Sequence, residues 1–141
     1  MNEENNPGLR DIINLILTIS TRFVNVLPEN IDEEITACIA EIGSFTNVDR
    51  SYVFFLSSDG TTMSCSFEWC AEGIQSLKDN FQNISTSMYQ RWIDILSRFE
   101  PIHISHPSDL TKGSDTEKEM LNKLGIQSIL VVPLVIHKKL I

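Results

Sequence analysis

Between Ser51 and Cys70 the hydrophobic period of the chain changes from helical to alternating, and this stretch restricts the fold more than any other. Tyr52, Phe54 and Leu56 alternate with Val53 and Phe55, so both faces are apolar and the strand is expected at the centre of a sheet. Ser58-Asp59-Gly60 follows, and the Asp-Gly pair supplies the positive-φ residues of a tight turn. The return strand, about Thr62 to Cys70, places Met63, Cys65, Phe67 and Trp69 on one face and Ser64, Ser66 and Glu68 on the other. This pattern is a hairpin with one buried side.

Helical stripes surround the hairpin. Met1 to Gly8 is polar and expected to fray, after which Leu9, Ile12, Ile13, Ile16, Ile19 and Phe23 recur at three- and four-residue spacing. That stripe is close to a heptad seam, suited to packing on the domain or on a second copy. Pro28 closes it. A second helix carries Ile31, Ile35, Cys38, Ile39, Ile42 and Phe45, with Asn30 and Glu33 spaced for a capping box. Further on, Met88, Tyr89, Trp92, Ile93, Leu96 and Phe99 form one helical stripe, and Pro101 ends it. A short strand from Ile102 to Ser105 comes next, broken by Pro107. Ser114 and Glu117 open another helix, buried through Met120, Leu121 and Leu124 and stopped by Gly125. The apolar run Ile129–Ile136 reads as a second central strand, with Pro133 requiring a bulge or an unpaired amide. Strands and helices in this order give an α+β class.

Composition excludes several functions. The net charge is −8, from 19 acidic and 11 basic residues without a Lys/Arg cluster, so DNA and RNA are repelled. The longest apolar runs fall well short of the roughly 18–20 residues of a membrane span. Three cysteines cannot close a disulfide framework, and with no secretory leader evident the chain reads as cytoplasmic.

Three stretches, in order, carry a family resemblance: Asp49-Arg50-Ser51-Tyr52-Val53-Phe54, then Glu68-Trp69-Cys70-Ala71-Glu72-Gly73-Ile74, then Leu124-Gly125-Ile126-Gln127-Ser128-Ile129-Leu130-Val131-Val132-Pro133-Leu134. Together they resemble the GAF domain of bacterial, cyanobacterial-type multi-sensor histidine kinases, response regulators and diguanylate cyclases. The resemblance implies a PAS-related antiparallel sheet with helices on both faces, and one GAF domain over residues 1–141. Within it, 1–27 would be an N-terminal signalling helix and 28–141 the core. In the family a further strand begins after His137-Lys138-Lys139, between the first strand and the Ile129–Ile136 strand, and a terminal helix follows. The C-terminal strand and helix are therefore expected to be absent, leaving edges that favour a homodimer or oligomer.

The resemblance also directs attention to particular side chains. Trp69, Tyr89 and Trp92 would wall a small-molecule pocket or fill a core, His103 would border that pocket, and Asp109 would flank it. No catalytic residue, metal ligand or cofactor is expected, while an unidentified small-molecule ligand is allowed for. His103 and His106 on a strand point apart, which argues against a metal. Cys65 and Cys70 are an odd number of residues apart on one strand, and Cys38 lies on a helix stripe; buried free cysteine accounts for all three. A covalent bilin is disfavoured because Met88–Phe99 holds neither Cys nor His. The expected function is a non-catalytic sensory GAF module that binds a small cytosolic ligand or partner and signals to a kinase or cyclase domain. The alternatives are a ligand-free dimerisation scaffold and a GAF-type methionine-sulfoxide reductase.

Overall fold

The computed structural model describes residues 7–141. They form α1 (Pro7–Asn25), α2 (Ile31–Thr46), β1 (Arg50–Leu56), β2 (Thr62–Cys70), β3 (Ile84–Ser85), α3 (Gln90–Ser97), β4 (Ile102–Ile104), α4 (Asp115–Lys123), β5 (Ile129–Val131), β6 (Val135–Ile136) and β7 (Lys139–Leu140). The class is α+β, with strands ordered β1-β2-β3, β4-β5 and β6-β7. β3 runs antiparallel to β2, β5 to β4 and β7 to β6. Two compact units are present. One takes the described residues through Val53 with Cys65–Asn80; the other takes Phe54–Ser64 with Phe81–Ile141.

In the first unit α1 packs on α2. Leu15, Ile19, Arg22, Phe23 and Val26 are the half-buried residues between Leu9 and Leu27, spaced along one face. Arg22 on that face pairs with Glu34 at 3.2 Å and with Glu41, both on α2. The chain leaves α1 through Leu27, which is extended at φ −79° and ψ 145° because Pro28 follows it. α2 ends on Asn47 in the left-handed conformation, whose N–H donates to the carbonyls of Gly43 and Ser44. The frayed start expected for Met1–Gly8 lies outside the described residues through Asn6, and α1 already includes Pro7 and Gly8.

The second unit holds the better-formed core. Tyr89, Trp92, Ile102, Ile104 and Leu121 cluster, with Met63, Ile84, Leu96, Ile129 and Val131 packed against them. Strand register explains who is buried: Ile102 faces Val131, His103 faces Leu130 and Ile104 faces Ile129, so the alternate isoleucines enter the core while His103 and Leu130 are exposed. Gly125, at φ +67°, provides the left-handed stop after α4.

Several expectations are corrected. β1 is an edge of its sheet rather than central, and every residue of it is half-buried. β2 spans the expected residues, but half-burial runs along both faces, and only Cys65 is fully buried. The Ile129–Ile136 run is not one strand: Pro133 lacks the amide a ladder needs, and the chain divides into β5 and β6 around it. Neither capping box forms, since Asn30 and Ser114 make no side-chain cap bond. At the start of β1, the Arg50 guanidinium donates to the Gln75 carbonyl at 2.9 and 3.2 Å.

Candidate functional site

Of the five residues singled out in the sequence, the structure brings two together. Tyr89 and Trp92 lie at the start of the α3 stripe, both 8% exposed, with ring centroids 6.1 Å apart and planes tilted by 51°. Burial and the nearby Glu117 carboxylate push the Tyr89 phenol above its ordinary range. Trp69 belongs to the first unit, where its ring lies against Gly43 of α2. His103 is on the solvent side of β4. Asp109 is exposed and sits 3.6 Å from His106 Nδ1.

The second unit contains polar groups that the sequence did not disclose. Glu117, 4% exposed, is paired through Oε1 with Arg91 Nε at 3.1 Å, so a buried carboxylate on α4 is tied to α3. Trp92 Nε1 and Ser114 Oγ are buried without a hydrogen-bond partner. Each such group costs about 1–3 kcal/mol when left unsatisfied. Nothing local signals the Arg91–Glu117 pair, because its members are 26 residues apart in sequence.

A second arrangement, in the first unit, holds the loop after β2. The Glu68 carboxylate accepts from the Ser76 hydroxyl, from the Leu77 amide at 2.9 Å and from the Lys78 amide at 3.1 Å. Burial acts to raise this carboxylate, but the three donors outweigh it and hold it below the usual glutamate range. With Arg50 on Gln75, two strand residues clasp one loop.

The three thiols are free. Burial pushes Cys65 up to about 11, and it also raises Cys38 and Cys70, each with help from a nearby glutamate. Reactive thiolate chemistry needs the opposite shift. Among the described residues no group of three His, Cys, Asp or Glu side chains is placed to hold a metal ion. No described helix is long and apolar enough to cross a membrane.

The GAF domain family model matches residues 30–141. No curated protein matches the chain. Among solved structures, the phycocyanobilin-bound GAF domain of a cyanobacterial phytochrome is 16% identical with a TM-score of 0.70, over 90% of this chain and 74% of that one. The phycoerythrobilin-bound GAF domain of a cyanobacterial phytochrome is 15% identical with a TM-score of 0.70, over 91% and 76%. The blue-light absorbing form of the Thermosynechococcus elongatus PixJ GAF domain is 18% identical with a TM-score of 0.57, over 97% and 68%. These neighbours correct the expectation of no cofactor: two of them hold bilins, so the absence of a cofactor does not follow from this fold. The match over residues 30–141, the helix-and-antiparallel-strand architecture and the neighbours agree, and the chain belongs to the GAF domain family.

Proposed function

We propose that this chain is the sensory module of a bacterial signal-transduction protein, cytoplasmic and without catalysis of its own. Its second unit would take up a small organic ligand, of which a bilin is the first to test, and hold it without a covalent bond. The observation that carries this reading is the pair of buried, unpartnered groups, Trp92 Nε1 and Ser114 Oγ. A ligand carbonyl or carboxylate satisfies such groups where the protein itself does not. Tyr89, Trp92, His103 and Asp109 are the side chains proposed to contact or flank the ligand.

The residues present do not fit a thioether-linked bilin. Cys65 is 1% exposed with its thiol donating to the Phe67 carbonyl at 3.2 Å, Cys38 is on α2, and Cys70 ends β2 with a raised thiol. The same raised thiols weigh against the reductase reading. In signalling, the ligand must bind one helix arrangement better than another, and that difference is what reaches a kinase or cyclase domain. We propose that the working form is a homodimer.

A second reading is favoured by one observation. Tyr89 and Trp92 are members of the buried core, and so a ligand-free scaffold is supported to the extent that these rings fill the space themselves. Native mass spectrometry of the freshly purified chain separates the two. Titration with phycocyanobilin follows, read by visible absorbance and tryptophan quenching, then by mass after denaturation. The sensor predicts a saturable ligand that is lost on denaturation. Neither a copurified molecule nor a saturable response leaves the scaffold.

A further inference from the structure

We infer that the edge of β5 turned away from β4 is where a second copy of this chain adds its own β5, antiparallel, joining two β4-β5 pairs into one sheet. This rests on the homodimer reading and gives that dimer its surface. Among the described residues β5 has β4 as its one strand neighbour. Its other edge runs from Ile129 to Val132. Beyond it Pro133 has no N–H to offer, and the Leu134 carbonyl accepts from the Ile141 amide at 3.0 Å. Edge strands are ordinarily guarded by charges, prolines or bulges within the strand. β5 has none of these: Leu124 through Ile136 hold no charged residue, Pro133 stands past the strand's end, and the β4-β5 register is regular. Burial alternates from Ile129 to Leu134, and every exposed position is apolar. Leu130, Val132 and Leu134 are 67%, 60% and 42% exposed, and Ile136 extends the row at 53%.

Symmetry, charge and area select a second copy as the occupant. An antiparallel pair of identical strands is self-complementary about a two-fold axis. Centred on Val131, the pair sets Leu130 of each copy opposite Val132 of the other, an aliphatic contact of the kind that stabilises neighbouring strands. Two chains of net charge −8 repel each other over most of their surfaces. This edge brings no acid to the contact, and Lys138 and Lys139 follow closely in the chain. The four exposed side chains present roughly 400 Å² per copy, about half of the ~800 Å² that each partner contributes to a stable interface. Backbone bonds along the edge add to that, so the dimer is expected to be reversible at micromolar concentration. Each copy uses its β5 edge once, and the association closes at two.

Sedimentation velocity of the 141-residue chain over a range of concentrations, with amide exchange read by NMR at the same concentrations, is the test. Wild type should form a dimer. As it forms, the amides of Ile129–Val132 that point away from β4 should gain about tenfold or more protection, which packing through side chains alone does not give. Leu130→Lys and Val132→Lys, at positions already open to solvent, should each raise the dissociation constant about tenfold or more. Circular dichroism and melting temperature should show the fold retained in both. Ser128→Val lies on the same strand face, opposite the partner's Leu134 in that register, and should tighten the dimer, a gain that misfolding does not produce. Val24→Lys, at an exposed apolar position of α1, should leave it unchanged. A monomer at all concentrations overturns both the edge and the homodimer reading. A dimer that ignores the Leu130, Val132 and Ser128 variants, one that Val24→Lys disrupts equally, or one without the added amide protection overturns the edge alone. Ligand uptake is measured separately, and neither result bears on it.

Discussion

The ring of Trp69 lies so close over Gly43 that a β-carbon placed on the glycine would stand 2.4 Å from its Cε3 and Cζ3 atoms, and 2.9 Å from Ser51 Oγ. Trp69, which the sequence offers as either a pocket wall or a core filler, thus works as a packing contact between β2 and α2. Gly43→Ala is expected to destabilise the protein by about 1–3 kcal/mol through overpacking. That outweighs the roughly 1 kcal/mol that alanine gains over glycine inside a helix. In a Trp69→Leu background the same change should turn neutral or stabilising. Denaturant midpoints of the four proteins check the sign reversal.

Trp92→Ala should cost about 3–5 kcal/mol, more than Tyr89→Ala, because it removes the larger ring from the same buried cluster. Trp92→Phe should cost much less, since the indole N–H it deletes has no partner in the protein. Equilibrium unfolding resolves the ranking; an alanine variant at Trp92 as stable as wild type contradicts the core placement.

The Arg91–Glu117 pair predicts a non-additive double-mutant cycle. Arg91→Ala strands a buried carboxylate, yet the arginine side chain is 44% exposed, so solvent reduces the penalty to about 1–3 kcal/mol. Replacing both residues, as Arg91→Met with Glu117→Leu, should recover most of the loss. Additive effects of the single changes would show that the ion pair contributes nothing.

Acid should act on the loop after β2. Glu68 has a folded pKa below its ordinary value, so its contribution to stability is complete above the unfolded glutamate value of about 4.3. It is lost as pH falls through the lower folded value. Glu68→Gln should therefore flatten the acid limb of the stability profile and leave its slope near neutrality unchanged. An identical acid limb in the two proteins would remove Glu68 from the account.

How much of this was legible in the residues depends on whether the cause was local. Strict alternation from Met63 to Trp69 placed β2 at its observed bounds, and the α4 stop at Gly125 followed from one residue type. The Asp59-Gly60 turn was half legible. Gly60 has the positive φ, whereas Asp59 keeps an ordinary one and uses its carboxylate to accept from Ser57 and from the Thr61 amide and hydroxyl. Those bonds hold it well below the usual range, at about 2. The capping box at Ser114 was misread because Glu117 is engaged by Arg91, a partner that no local pattern contains. Apolar composition on both faces suggested central strands for Ile129–Ile136, although Leu130 and Val132 are 67% and 60% exposed. Composition reports what a strand can bury, and register and prolines decide what it does bury.

The turn between β6 and β7 has a consequence for the kinetics of the chain. His137 and Lys138 both have positive φ, 50° and 62°, and the register Ile136 to Lys139 makes them a two-residue turn of the kind that favours Asn-Gly. Left-handed backbone costs a non-glycine residue roughly 1–2 kcal/mol. Against that the hairpin sets two ladder pairs and largely exposed strands. Such a segment opens locally long before the molecule unfolds, so its amides should exchange with solvent far faster than those around Leu121, and a protease should nick the chain there first.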